Sequence, residues 1–330
     1  MRLISWLLAI VGGVILLVPG LLLLSSWASL DRARGHGAAT EALPRLSADA
    51  SEGLVQIPAR GMLFRARVAG LDGDGPALVL LHGFPETSMM WEPLIRAAHA
   101  AGFRVVAFDQ RGYSPGARPE TVDAYQLPEL IADLFAVADA AGFERFHLVG
   151  HDWGSVVGWI AAGQERERVL SYASLSIPHP GAISIANADR GTPGYVRFFQ
   201  MTGVPETLFT AGDLFLMQRM YAAMPEDQRS EYLAVFAEPG ALRAALNWYR
   251  ARAEFLAGGE VAPEVLQPVL YVFGRQDMPT FVRPEVRELQ PRFVTGPFEE
   301  VELDAGHWLI EEEPQEVVDI VMTHLRAQAR

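Results

Sequence analysis

Phe146-His147-Leu148-Val149-Gly150-His151-Asp152-Trp153-Gly154-Ser155 is the stretch that decides the fold. The apolar run Phe146–Val149 predicts a buried strand, and helical spacing over Ser155–Arg166 predicts the helix after it. Joining the two so directly demands a sharp, strained turn. Gly150 and Gly154 stand two residues before and two after Asp152. This is the layout of the G-x-S-x-G nucleophile turn, with Asp where Ser usually stands. Such a turn lifts its central side chain above the sheet edge and points backbone N–H groups toward it. Alone, the pattern would also suit an Asp that merely caps the following helix. The elements on either side and the partners elsewhere in the chain favour the nucleophile.

The surrounding sequence repeats the same rhythm. Leu54–Pro58 and Met62–Val68 read as a strand pair turning at Arg60-Gly61, and Ala77–Leu81, Arg104–Phe108, Leu170–Ile177 and Val269–Phe273 read as further strands. Between them, Met89–Ala101 and Leu127–Ala141 have helical spacing, and Pro314–Ala327 closes the chain as a helix. The alternation predicts an α/β protein with a mostly parallel, doubly wound sheet. Residues 179–265 break it. They are helix-like and rich in aromatics and Met, and are expected to form a helical cap over the sheet edge where ligands bind. The expected division is therefore an anchor at 1–30, a tether at 31–51, core at 52–178 and 266–330, and cap at 179–265.

A carboxylate nucleophile selects its substrates. It can displace a leaving group from saturated carbon and form an alkyl ester, which water then cleaves at the carbonyl. Serine in the same place would leave an ether that resists hydrolysis. Asp152 therefore points to electrophilic sp3 carbon, such as epoxides or alkyl halides. His307, in Gly306-His307-Trp308 beyond the strand around Val301–Leu303, is the expected base for the water. Asp277, just past the strand Val269–Phe273, is expected to orient it. Asp304 is nearer in sequence but lies beside a strand and fits less well. Backbone N–H groups of Phe84, in His82-Gly83-Phe84-Pro85-Glu86, and of Trp153 would form an oxyanion hole. Phe84-Pro85 is a candidate cis bond, His82 is expected to be structural, and Arg111 to be an ion-pairing residue. The order nucleophile, acid, His is that of the α/β-hydrolases.

At these residues the chain resembles the α/β-hydrolase fold over roughly 52–178 and 266–330. His82-Gly83-Phe84-Pro85, Asp109-Gln110-Arg111-Gly112-Tyr113-Ser114, Gly150-His151-Asp152-Trp153-Gly154 and Gly306-His307-Trp308 are similar to its epoxide hydrolase branch. The resemblance implies two cap tyrosines that donate to the epoxide oxygen. Tyr249, in Asn247-Trp248-Tyr249-Arg250, matches one, and Tyr195, five residues before Gln200, matches the other more loosely. It further implies an epoxide hydrolase that needs no cofactor and no metal. Haloalkane dehalogenases share the Asp nucleophile but use a second halide donor, often Asn after His-Gly, where this chain has Phe84. A fluoroacetate-type site would want a second Arg where Ser114 stands. A catalytically silent binding protein of the same fold is the remaining alternative. Trp153, Trp248 and Trp308 are expected to line the substrate site, and the apolar cap points to a lipophilic epoxide.

Composition sets the outer limits. The chain has 330 residues, is half hydrophobic, and carries 40 acids against 27 bases, for a net charge of −13. Disorder is excluded, and so acidic a balance argues against nucleic acid as a partner. There is no cysteine, so disulfides and thiolate chemistry are excluded. Every one of the 27 bases is arginine, so no Schiff base can form. Leu3–Trp27 holds 25 residues without a charge, longer than the apolar core of a secretory signal and long enough to span a bilayer. A single-pass N-terminal membrane anchor is the expectation, and a cleaved signal is the competing one.

Overall fold

Strands that are apolar along their whole length need cover on both faces, and the centre of the sheet is built from them. The computed structural model describes residues 43–251 and 263–329. Strands β3 (Ala77–Leu81), β5 (Phe146–His151) and β7 (Val269–Gly274) are buried at every position. β4 (Arg104–Phe108) and β6 (Val169–Leu175) are nearly so. At one edge lies β1 (Gly53–Ala59), paired with β2 (Met62–Ala69); at the other lies β8 (Phe298–Leu303). β8 reads Phe-Glu-Glu-Val-Glu-Leu and exposes Glu299 and Glu302, a charged edge that discourages pairing with another chain.

The eight strands run in the order β1-β2-β4-β3-β5-β6-β7-β8. β2 is antiparallel to both β1 and β4, and every other pairing is parallel. The sheet is thus mixed, with an antiparallel hairpin on one margin of a parallel core. The helices α1 (Glu92–Ala100), α2 (Leu127–Ala140), α3 (Trp153–Gln164) and, after β8, α11 (Leu309–Glu312) and α12 (Pro314–Gln328) accompany it.

From β6 to residue 251 the described chain is helical. It forms α4 (Pro180–Ala186), α5 (Gly194–Gln200), α6 (Val204–Met220, kinked by non-helical backbone at Ala211, Gly212, Asp213 and Leu214), α7 (Glu226–Ala237) and α8 (Ala241–Ala251). Short α9 (Pro279–Val282) and α10 (Pro284–Arg287) follow β7.

Among the boundaries that differ from the sequence expectation, three have a clear local cause. The helix expected over Met89–Ala101 is a 3-10 turn, Ser88–Trp91, followed by α1. Pro93 falls in the first turn of α1, where its missing N–H costs nothing, whereas a helix running through it would lose a bond. α3 begins at Trp153, not near Ser155, because the turn at Asp152 is a single residue wide. β6 stops at Leu175, two residues early, because Ser176 adopts φ 68° and turns the chain. No helix among the described residues is long and apolar enough to cross a membrane. Leu3–Trp27, on which the anchor expectation rests, lies outside the described residues.

Candidate active site

The turn after β5 holds Asp152 at φ 48° and ψ −117°, a region costing a non-glycine residue about 1–3 kcal/mol. The surroundings enforce it. Ser155 Oγ donates to Gly150 O at 2.7 Å and lies 3.0 Å from Leu175 O, so it ties the turn to β6. A Cβ on Gly154 would sit 2.2 Å from Leu81 O, and one on Gly83 would sit 2.4 Å from Asp152 Cβ. The flanking glycines are thus needed for close approach of the β3 and β5 ends, and that approach brings the Phe84 turn against the carboxylate.

Phe84 N–H donates to Asp152 Oδ1 at 2.8 Å, and the Phe84–Pro85 peptide is cis. His307 Nε2 lies 3.5 Å from Asp152 Oδ2, and His307 Nδ1 lies 2.9 Å from Asp277 Oδ2. Asp277 is itself held by Met278 N–H, which donates to Oδ1 at 2.5 Å. Asp304, the nearer acid in sequence, is exposed and paired with Arg275 at 2.9 Å. The structure therefore brings Phe84, Asp152, Asp277 and His307 together from the ends of four strands. Burial pushes the Asp152 carboxyl up, but the facing His307 outweighs it and the net direction is down. Burial likewise pushes His307 down, while Asp152 and Asp277 carry it well above the ordinary histidine value. At neutral pH the resting pair is carboxylate and imidazolium.

Behind this pair lies a layer the sequence reading left without roles. His151 is the last residue of β5 and is buried behind the turn. Its Nδ1 meets Glu86 Oε2 at 2.8 Å and its Nε2 meets His307 O at 2.9 Å. Burial pushes the Glu86 carboxyl up, but the His151 charge outweighs it and holds Glu86 ionised, so both partners accept and both ring nitrogens donate. Burial opposes that charge, but Glu86 prevails and the His151 pKa is raised. Ser176 Oγ donates to the same His307 carbonyl at 2.6 Å. Glu86 also accepts from Gly83 N–H at 3.2 Å, so one carboxylate braces the Phe84 turn and, through His151, the His307 loop. Glu311 is hydrogen-bonded to Glu86, and burial first, then the Glu86 charge, drives its pKa well up. Glu86 Oε1 and Glu311 Oε2 are each buried without an N–H or O–H donor, so a proton held on Glu311 satisfies both. Glu86 was legible as the residue after the Pro of His82-Gly83-Phe84-Pro85; nothing in the sequence marks Glu311.

A cavity of about 660 Å³ opens over Asp152. Tyr195 from α5, Tyr249 from α8 and Trp153 all line it. Tyr249 packs edge-on against Trp153 and Phe84, with ring centroids 4.9 Å and 5.5 Å away. The Trp153 side chain is hydrogen-bonded to Tyr249. An indole N–H can only donate, so the phenol oxygen accepts and keeps its own proton to give. Burial, with the Asp152 charge nearby, raises both tyrosine pKa values and keeps the phenols protonated.

Two expected lining residues are elsewhere. Trp248 is fully buried and donates from Nε1 to Arg111 O at 2.8 Å. Successive helix residues point about 100° apart, so placing Tyr249 in the cavity turns Trp248 into the core. Trp308 does not line the cavity either; it is partly buried, with a buried Nε1. Arg111 grips Asp133 with two bonds of 2.6 and 2.7 Å. His82 accepts from Gln110 N–H through Nε2 and faces Gly83 O through Nδ1. Neither is on the cavity wall.

Residues 76–314 match the family model for the alpha/beta hydrolase fold. The chain is 32% identical to Epoxide hydrolase A of Mycobacterium tuberculosis, over 82% of this chain and 96% of that one. The chain belongs to the epoxide hydrolases of the α/β-hydrolase family. It is also 30% identical to human Epoxide hydrolase 4, over 84% of this chain and 79% of that one. Among solved structures, Epoxide Hydrolase A from Mycobacterium thermoresistibile is 30% identical, with a TM-score of 0.72 over 83% of this chain and 98% of that one. An epoxide hydrolase from Vigna radiata, 22% identical with a TM-score of 0.72 over 84% and 99%, shares the fold. This protein is a hydrolase enzyme of that family.

Proposed function

We propose that the protein converts epoxides to vicinal diols through an alkyl ester on Asp152. The observation that carries this reading is the division of labour between the two Asp152 oxygens. Oδ1 is held by Phe84 N–H, which leaves Oδ2 to attack. Oδ2 forms a bond to an epoxide carbon as the C–O bond of the ring breaks. Tyr195 and Tyr249 stabilise the departing alkoxide and protonate it. The tyrosinate regains its proton from the His307 imidazolium, which the loss of the Asp152 charge has made more acidic. His307, now neutral and oriented by Asp277, takes a proton from water as the water oxygen attacks the ester carbonyl. Oδ1 already lies against Phe84 N–H, where the tetrahedral oxyanion needs a donor, and Trp153 N–H is the second donor of the proposal. Collapse expels the diol and restores carboxylate and imidazolium, so protons balance over the cycle.

Diol formation from a panel of epoxides tests the reaction. Wild type is expected to form diol and Asp152→Asn none; halide release from haloalkanes without diol would move the protein to the dehalogenases. The apolar cavity wall supports a lipophilic substrate. The uncharged Leu3–Trp27 supports an N-terminal anchor as part of the same reading; full-length protein recovered in a detergent-free supernatant would contradict it.

A further inference from the structure

Phe84 N–H meets Asp152 from the core, yet part of what holds the turn that carries it comes down from the cap. Tyr221, directly after α6, is fully buried and donates its hydroxyl to Pro85 O at 2.5 Å. Glu231, on α7, takes hold two residues further on. Its Oε1 accepts from Thr87 Oγ1 at 2.9 Å, from Arg65 Nη1 at 2.9 Å and from Arg67 Nη1 at 3.0 Å, and its Oε2 accepts from Arg67 Nη2. Both arginines belong to β2 and bind the same segment of the core. Arg67 Nη1 donates to Ser88 Oγ at 2.9 Å. Arg65 Nη1 donates to Asp109 Oδ2 at 2.7 Å, and Asp109 Oδ1 accepts from Ser88 N–H at 2.8 Å. Burial pushes the Glu231 carboxyl up, but the two guanidinium groups outweigh it and keep it ionised. The Phe84 ring adds a third attachment. It packs against Phe199 of α5, Phe236 of α7 and Tyr249 of α8, with centroids 5.3, 6.2 and 5.5 Å away. Pro85 and Thr87 stand one and three residues from Phe84, too short a stretch for the cap to shift without moving the Phe84 donor.

We infer that Tyr221 and Glu231 are positioning residues for the reaction: from the cap they fix the Phe84 N–H against Asp152, so a seated cap sets the oxyanion donor as well as roofing the cavity. The consequence for catalysis rests on the Asp152 ester reading; the positioning itself does not. In that scheme Phe84 N–H stays on one oxygen, Asp152 Oδ1, through both steps. Ring opening draws charge away from that oxygen, whereas attack of water on the ester concentrates charge there. A displaced donor therefore slows ester hydrolysis more than ester formation.

Two readouts test this in Tyr221→Phe and Glu231→Gln. The first needs no substrate. In protein labelled with nitrogen-15 phenylalanine, the Phe84 amide is assigned by its loss in Phe84→Leu. Its proton is expected to move upfield in both variants and to exchange with solvent about tenfold faster, the weight of one hydrogen bond. Tyr125→Phe is the control, since Tyr125 is equally buried and also donates to a proline carbonyl, Pro119 O at 2.8 Å, away from the turn; it should leave the Phe84 amide where it is. The second readout is rapid quench with styrene oxide, followed by intact mass. Ester decay is expected to slow about tenfold in the variants while ester formation stays within about twofold, so the adduct accumulates. A role confined to stability would lower the melting temperature and leave that ratio unchanged. A Phe84 amide unmoved in both variants, or formation and decay slowed equally, overturns the inference. Should Glu231→Gln not fold, Tyr221→Phe decides alone. Wild type that forms neither adduct nor diol would contradict the ester reading, and the amide would still decide the positioning.

Discussion

The floor and the roof of the cavity are built by different means. On the floor, Asp152, His307 and Asp277 have little freedom: a strained turn, glycine-close strands and a buried Glu86–His151 brace fix them. On the roof, Tyr195 and Tyr249 are placed by aromatic packing, in which Phe199 bridges the two with centroids 6.1 Å and 4.9 Å away. Charges that must meet within hydrogen-bond range need rigid scaffolding, whereas phenol donors that meet a range of substrates tolerate a softer frame. Substitutions on the floor should therefore abolish chemistry, and those on the roof should grade it.

The largest effect is expected at the floor. Asp152→Asn should lower turnover by roughly 10⁴-fold or more, since removing a nucleophile removes the path and not merely one contact. His307→Gln should lose about as much in steady state yet still alkylate once, which intact-mass measurement would read as an added substrate mass; no adduct would break the two-step scheme. On the roof, Tyr249→Phe should cost about 10²-fold in kcat, the loss of one developing-charge donor, and Tyr195→Phe less. Equal and complete losses at both would show that the roof is as indispensable as the floor.

The pH behaviour sharpens the same contrast. His307 binds its proton more tightly in the folded protein than in the unfolded chain. The stability it contributes is fully present below the ordinary histidine pKa of about 6.5 and is lost as pH rises through the raised native value. Asp152→Asn removes the facing charge, so NMR titration should place the His307 pKa lower in the variant than in wild type. An unchanged value would mean that Asp277 alone sets it.

The smallest effect is expected behind the floor. Glu311→Gln keeps a neutral donor toward Glu86 and should retain most activity, whereas Glu311→Leu should lose roughly tenfold as Glu86 loses its proton donor. The infrared band of a protonated carboxylic acid should disappear in Glu311→Gln. Its persistence would place the proton elsewhere.

The parts of this account legible in sequence are those fixed by local pattern. The Gly150–Gly154 spacing, the buried strands and the strand-end positions of Asp277 and His307 are written within a few residues each, and the strands came out within two residues of the reading. What escaped depends on contacts between distant segments. Glu311 matters only because α11 brings it to Glu86. Trp248 was misplaced because an aromatic next to a cavity tyrosine invites the same assignment, although the helix turns the two apart.

The central claim is that Asp152, not water, attacks the epoxide. A single turnover with enzyme in excess, run in oxygen-18 water, tests it directly. If Asp152 Oδ2 attacks, the first diol carries no heavy oxygen and the peptide containing Asp152 gains it. Heavy oxygen in the diol of that first turnover, with an unlabelled Asp152 peptide, would show direct attack by water and contradict the account.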